Sequence, residues 1–150
     1  MIDLTTLASD WEQDGFVVCR SLFTADEMEK LRAHFMQMHN DALDSENPVR
    51  SHYAPRSLEE CEGDALKHFP RIMMPHRFDE TSFQYLLDRR VEDVLKVLFA
   101  GEPLAAQSML YFKPPGGRGQ ALHQDNFYLR VKPGTCIAAW TAIDDTDLEN

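Results

Sequence analysis

From Leu104 onward the chain reads as short extended runs broken by Gly/Pro turns, and this pattern restricts the fold more than any other part of the sequence. Ala105 to Phe112 reads as a strand, Lys113 to Gly119 as a turn, and Gln120 to Val131 as an extended run. Lys132-Pro133-Gly134 is a second turn, and Thr135 to Ile143 is an apolar strand that carries Trp140. Strands joined at short spacing by such turns predict an antiparallel sandwich or barrel.

Upstream the periodicity is helical, so the chain as a whole predicts an α+β fold. Thr5 to Asp14 reads as a short helix with Thr5 or Thr6 at its cap and Gly15 in the left-handed position that ends it. Phe16 to Arg20 is β-branched and aromatic and predicts a short strand. Thr24-Ala25-Asp26-Glu27 has the capping-box pattern, and Met28, Leu31, Phe35 and Met38 follow at helical spacing as a core stripe. Two more helices are expected, over Phe83 to Leu87 and over Val91 to Leu98; the second stops near Gly101 and Pro103. Between about Leu43 and Pro70 the pattern is lost. A long irregular excursion of this kind suits a lid or substrate loop, and its run of Glu59, Glu60, Glu62 and Asp64 reads as a solvated face.

With 150 residues and 43% hydrophobic content the chain has material for one core and is no disordered tail. A formal net charge of -10 argues against nucleic acid or an anionic membrane as the main partner. The start, Met1-Ile2-Asp3-Leu4, has no basic stretch followed by an apolar one, and no apolar run reaches the roughly 20 residues of a membrane span. Cys19, Cys61 and Cys136 are odd in number and widely spaced, which predicts reduced thiols in a cytoplasmic protein.

His123-Gln124-Asp125 is the chemically informative motif. On an extended segment alternate side chains share a face, so an imidazole and a carboxylate point the same way. They supply two of the three ligands of a 2-His-1-carboxylate site for non-haem Fe(II). The competing reading is a hydrogen-bonded rim histidine beside a turn-capping aspartate. His34, His39, His52, His68 and His76 lie upstream and read as packing or surface residues; His34 and His39, five apart, do not share a helix face as a zinc pair would. Lys113 to Gly119 lacks the Gly-Lys-Ser/Thr ending of a phosphate loop and reads as a strand connection.

Tyr111-Phe112-Lys113-Pro114-Pro115-Gly116-Gly117, then His123 to Leu129, then Trp140 to Asp145, resemble the phytanoyl-CoA dioxygenase family; Asp14 to Val18 with Leu22-Phe23 resembles that family's start. The resemblance implies a double-stranded β-helix, a jelly-roll and cupin-like variant. It also implies an Fe(II)- and 2-oxoglutarate-dependent oxygenase that hydroxylates a small organic substrate with dioxygen. By position, His123 and Asp125 become iron ligands. Met109 and Trp140 line the 2-oxoglutarate pocket, Gln107 lies near it, and Tyr111 and Lys113 are further candidates. A carboxylate at Asp125 fills the position that halogenating relatives leave for chloride, which implies hydroxylation.

The family's second iron-binding histidine and the arginine that clamps 2-oxoglutarate come later than Asn150, and half of the β-helix is missing. Residues 1–150 are therefore expected to be the N-terminal part of a single domain, helical over 1–103 and β-rich over 104–150. Four strands alone would leave an open edge and a raw apolar face. A short gene product and a chain completed by another subunit are the other two explanations. The alternatives in function are a catalytically inactive binding domain and a cupin-like metal enzyme that does not use 2-oxoglutarate.

Overall fold

The structure is a computed structural model, and it describes residues 5–43, 61–68, 70–117 and 119–148. Its order is α1 (Leu7–Asp14), α2 (Ala25–Ala42), α3 (Ala65–His68), β1 (Arg71–Met73), a 3-10 turn (Pro75–Arg77), α4 (Glu80–Leu86), α5 (Arg89–Phe99), β2 (Met109–Tyr111) and α6 (Asp125–Leu129). The chain divides into two compact units. One comprises Met1–Thr24, Leu87–Ala105 and Ala121–Thr141; the other comprises Ala25–Leu86, Ala106–Gln120 and Ala142–Asn150.

In the first unit α1 packs on α5, each burying one apolar residue, Leu7 and Val94. Gly15 ends α1 in the left-handed region at φ 75°, with its N–H on the Trp11 carbonyl, as the sequence predicts. Thr6 holds the cap position without a side-chain cap bond, and its carbonyl receives Ser9 Oγ at 2.8 Å. Asp88 begins α5 by accepting the Arg90 N–H at 2.9 Å. Its carboxylate also takes Arg90 Nε and Nη2 at 2.9 and 2.8 Å, and the guanidinium lies 4.3 Å from the Phe23 ring centroid. One arginine thereby fixes both the helix start and the Leu22-Phe23 segment. Phe16 to Arg20 forms no strand, and Phe16 and Val18 are exposed. β-propensity reports fit to a partner, and among the described residues no strand pairs with this run.

The second unit holds the larger core: Leu31, Phe35 and Ala42 from α2, Ile72 from β1 and Phe112 just after β2. Met28, Leu66, Phe78, Tyr85, Leu110 and Ile143 close around it. The helical stripe read in the sequence is thus the core face of α2. His39 is buried with it, its Nε2–H donating to the Ala65 carbonyl at 3.1 Å and its ring edge-on to Phe112. β1 and β2 pair antiparallel with Arg71 opposite Tyr111, Ile72 opposite Leu110 and Met73 opposite Met109. Strand alternation sends Ile72 and Leu110 into the core and the other four side chains to the opposite face. The strand at Arg71–Met73 is absent from the sequence reading, since three residues show no period.

Residues 104–150 are less regular than expected. Of the long strand over Ala105 to Phe112 only Met109–Tyr111 is ladder-bonded. Gln120 to Val131 holds the helical turn α6 instead of an extended run, and Thr135 to Ile143 has no strand. The two turns are where the sequence puts them. Gly117 N–H closes on the Pro114 carbonyl at 2.8 Å with Gly116 at φ 75°, a Pro-Gly turn with the glycine in its required left-handed position. Of the irregular excursion, residues 44–60 and 69 lie outside the described residues, Glu59 and Glu60 among them; Glu62 is exposed and Asp64 caps α3 through the Leu66 N–H at 2.9 Å.

Candidate functional site

His123 and Asp125 meet. Nε2 of His123 lies 3.0 Å from Oδ1 of Asp125. The geometry is reached without a strand: Gln124 is extended (φ -109°, ψ 122°) and Asp125 opens α6, so one extended residue separates the two side chains. Asn126 stabilises this local alternative to a strand, its Oδ1 accepting the Val131 N–H at 2.8 Å. His123 Nδ1 lies 2.8 Å from the Ala121 carbonyl. A carbonyl oxygen only accepts, so Nδ1 carries a proton in that contact. Nε2 faces the carboxylate, a contact that a proton or a cation between the two makes favourable.

The donor set suits a cation. The 3.0 Å separation is that of a hydrogen-bonded ion pair, and the same nitrogen and oxygen are donor types that could hold a divalent metal. A backbone carbonyl holding the remote imidazole nitrogen is the usual support of a metal-bound histidine. Among the described residues no group of three or more His, Cys, Asp or Glu side chains is arranged around one metal position. Tyr128 stands edge-on to the His123 ring, with Phe127 against it. Phe127, Tyr128 and Trp140 are all exposed, Trp140 to 73%.

Met109, Tyr111 and Lys113 belong to the second unit. Met109 and Tyr111 share the sheet face turned away from the core, with the Tyr111 hydroxyl donating to Met109 Sδ at 3.6 Å. Lys113 Nζ sits 5.8 Å from the Tyr111 ring centroid. Gln107 is half-buried in the segment leading into β2. Arg71 also lies on this face. The register sets it opposite Tyr111, whose ring centroid lies 5.8 Å from Lys113 Nζ.

The remaining histidines are accounted for locally. His34 Nε2 lies 2.8 Å from Asp79 Oδ1, and His76 Nδ1 lies 2.6 Å from Ser108 Oγ. His39 is in the core, while His52 and the side chain of His68 lie outside the described residues. Cys19, Cys61 and Cys136 are free thiols, and burial raises the Cys19 pKa above the usual thiol range. Among the described residues no helix is long and apolar enough to cross a membrane.

This is a mixed helical chain with a small antiparallel sheet and a close His-x-Asp pair, and comparison with known proteins gives its family. Residues 11–150 match the phytanoyl-CoA dioxygenase (PhyH) family, and the chain belongs to it. It is 26% identical to a phytanoyl-CoA dioxygenase domain-containing protein 1 homolog of Caenorhabditis elegans, over 96% of this chain and 60% of that protein. Identity to the peroxisomal phytanoyl-CoA dioxygenase of Mus musculus is 26%, over 93% of this chain and 42% of the relative. Identity to the ectoine dioxygenase of Stutzerimonas stutzeri is 23%, over 96% and 46%. The chain thus spans less than two thirds of the length of these relatives. No solved structure matches it significantly.

Proposed function

We propose that this chain is the N-terminal part of a single oxygenase domain that uses Fe(II), 2-oxoglutarate and dioxygen to hydroxylate a small organic substrate. The observation that carries the reading is the 3.0 Å approach of His123 Nε2 to Asp125 Oδ1, with Nδ1 already held by the Ala121 carbonyl. Family membership and the dioxygenase names of the relatives support it. So do two cationic residues near Tyr111 in sequence and register, Arg71 opposite it and Lys113 beside its ring, since a dicarboxylate needs cations.

In this reading His123 and Asp125 hold the metal as a neutral nitrogen and a charged oxygen donor. Bound iron would supply the coupling of 2-oxoglutarate decarboxylation to C–H hydroxylation, chemistry that side chains lack. The protein's own work is orientation. Ala121 fixes the His123 ring; Gln107, Met109, Tyr111 and Lys113, and separately Trp140, are the family-based candidates for contacts to 2-oxoglutarate, and Arg71 is a further candidate beside Tyr111. Asp125 keeps the carboxylate position filled, which favours a hydroxylated product over a halogenated one. The domain is taken to be a double-stranded β-helix, and a cytoplasmic setting goes with its three free thiols.

The test is consumption of 2-oxoglutarate by the complete polypeptide that carries this sequence, with iron, ascorbate and air. Succinate formation that is lost in His123→Ala and Asp125→Ala is the expected result. A binding domain without catalysis would form none in any of the three.

A further inference from the structure

A two-stranded ladder of three residues a side is marginal by itself, and its register decides what it presents. Slipping β2 by one residue would send Met109 and Tyr111 to the core side and bring Leu110 out. Two backbone bonds close the ladder ends: the Phe112 N–H on the Pro70 carbonyl and the Met74 N–H on the Ser108 carbonyl, each at 2.9 Å. The second end carries an additional side-chain bond. Met74 turns the chain in the left-handed region (φ 53°, ψ 45°), Pro75 opens the 3-10 turn, and His76 Nδ1 comes to rest 2.6 Å from Ser108 Oγ.

We infer that His76 is a positioning residue, whose bond to Ser108 locks β2 in register and so keeps Met109 and Tyr111 on the face offered to 2-oxoglutarate. The assignment of that face rests on the function proposed above; the lock itself does not. Its specificity comes from the neighbours of Ser108. A slip would put Gln107 or Met109 in its place, and neither has a short hydroxyl at the Cβ-bonded position. Ser108 is also held twice by one turn, through its carbonyl by Met74 and through its hydroxyl by His76. The bond forms with either tautomer of the ring, because the hydroxyl both donates and accepts.

The experiment compares His76→Ala, Ser108→Ala, their double variant and His76→Asn, which keeps an amide near the place of Nδ1. Hydrogen exchange at the Met74 and Phe112 amides is read first. One net side-chain hydrogen bond corresponds to a change of about five- to tenfold. Exchange faster by that factor in either alanine variant, no faster in the double and restored in His76→Asn is the expected pattern. Wild-type rates in His76→Ala overturn the lock. In the complete polypeptide the KM for 2-oxoglutarate is then expected to rise about five- to tenfold in His76→Ala, with kcat within about twofold. Faster exchange with an unchanged KM overturns the positioning role. Absence of 2-oxoglutarate consumption by the wild type would count against the proposed function alone, and the exchange rates would still decide the lock.

Discussion

Arg71 and Tyr111 stand directly opposite each other across the β1–β2 ladder, on the face turned away from the core. Lys113, beside the Tyr111 ring, adds a second cation. If this face receives a carboxylate of 2-oxoglutarate, removing the guanidinium removes a charge-assisted bond, worth about 1.5–3 kcal/mol. Arg71→Ala is expected to weaken 2-oxoglutarate binding by about tenfold or more, measured by calorimetry on the metal-loaded protein. Arg71→Lys should recover part of the loss, since the charge remains while the bidentate fork does not. Equal affinity in all three proteins would remove Arg71 from the site.

Asp79 has a structural task. Oδ2 accepts the Ser82 N–H at 2.7 Å at the start of α4, and Oδ1 meets His34 Nε2 on α2 at 2.8 Å. One carboxylate thus caps a helix and ties it to another. Asp79→Ala is expected to cost about 1–3 kcal/mol in denaturant unfolding. Asp79→Asn, which keeps a cap acceptor, should cost less. A loss below about 0.5 kcal/mol for the alanine variant would show that neither bond contributes.

The exposed Glu92–Lys96 pair on α5 gives a pH signature. Lys96, by hydrogen bond and charge, holds the Glu92 carboxyl below the usual glutamate range, and Glu92 and Glu102 raise Lys96 above the usual lysine range. A lowered carboxyl contributes stability that is present above its unfolded pKa and lost as pH falls through the folded one. A raised ammonium contributes stability that is present below its unfolded pKa and lost as pH rises through the folded one. Lys96→Met is therefore expected to lower Tm slightly at neutral pH, as befits an exposed pair. The difference should vanish below the glutamate range. A difference that persists in acid would mean that the stem of Lys96, and not its charge, is what stabilises.

Helices were legible in this sequence because their signals are local. Gly15 ends α1, α5 stops just before Gly101 and Pro103, and the spacing of Met28, Leu31 and Phe35 gives the core face of α2. The Pro114–Gly117 turn is local in the same sense. Strands depend on partners distant in sequence, so Phe16–Arg20 and Thr135–Ile143 read as β yet pair with nothing among the described residues, while Arg71–Met73, too short for a period, pairs with β2. The site shows both behaviours. His123 and Asp125 come together as their spacing suggests, although through an extended Gln124 and a helical turn. The pairing of Arg71 with Tyr111 emerges only from the register, because nothing in its sequence neighbourhood marks it.

Anaerobic titration of the complete polypeptide with Fe(II), with and without 2-oxoglutarate, tests the central claim most directly. The account predicts a visible charge-transfer band that needs both additions and disappears in His123→Ala. In that variant iron affinity should fall on the order of a hundredfold or more, beyond the 10–100-fold cost of losing an outer-shell partner. An unchanged band in His123→Ala, or no band in the wild type at saturating iron and 2-oxoglutarate, would contradict it.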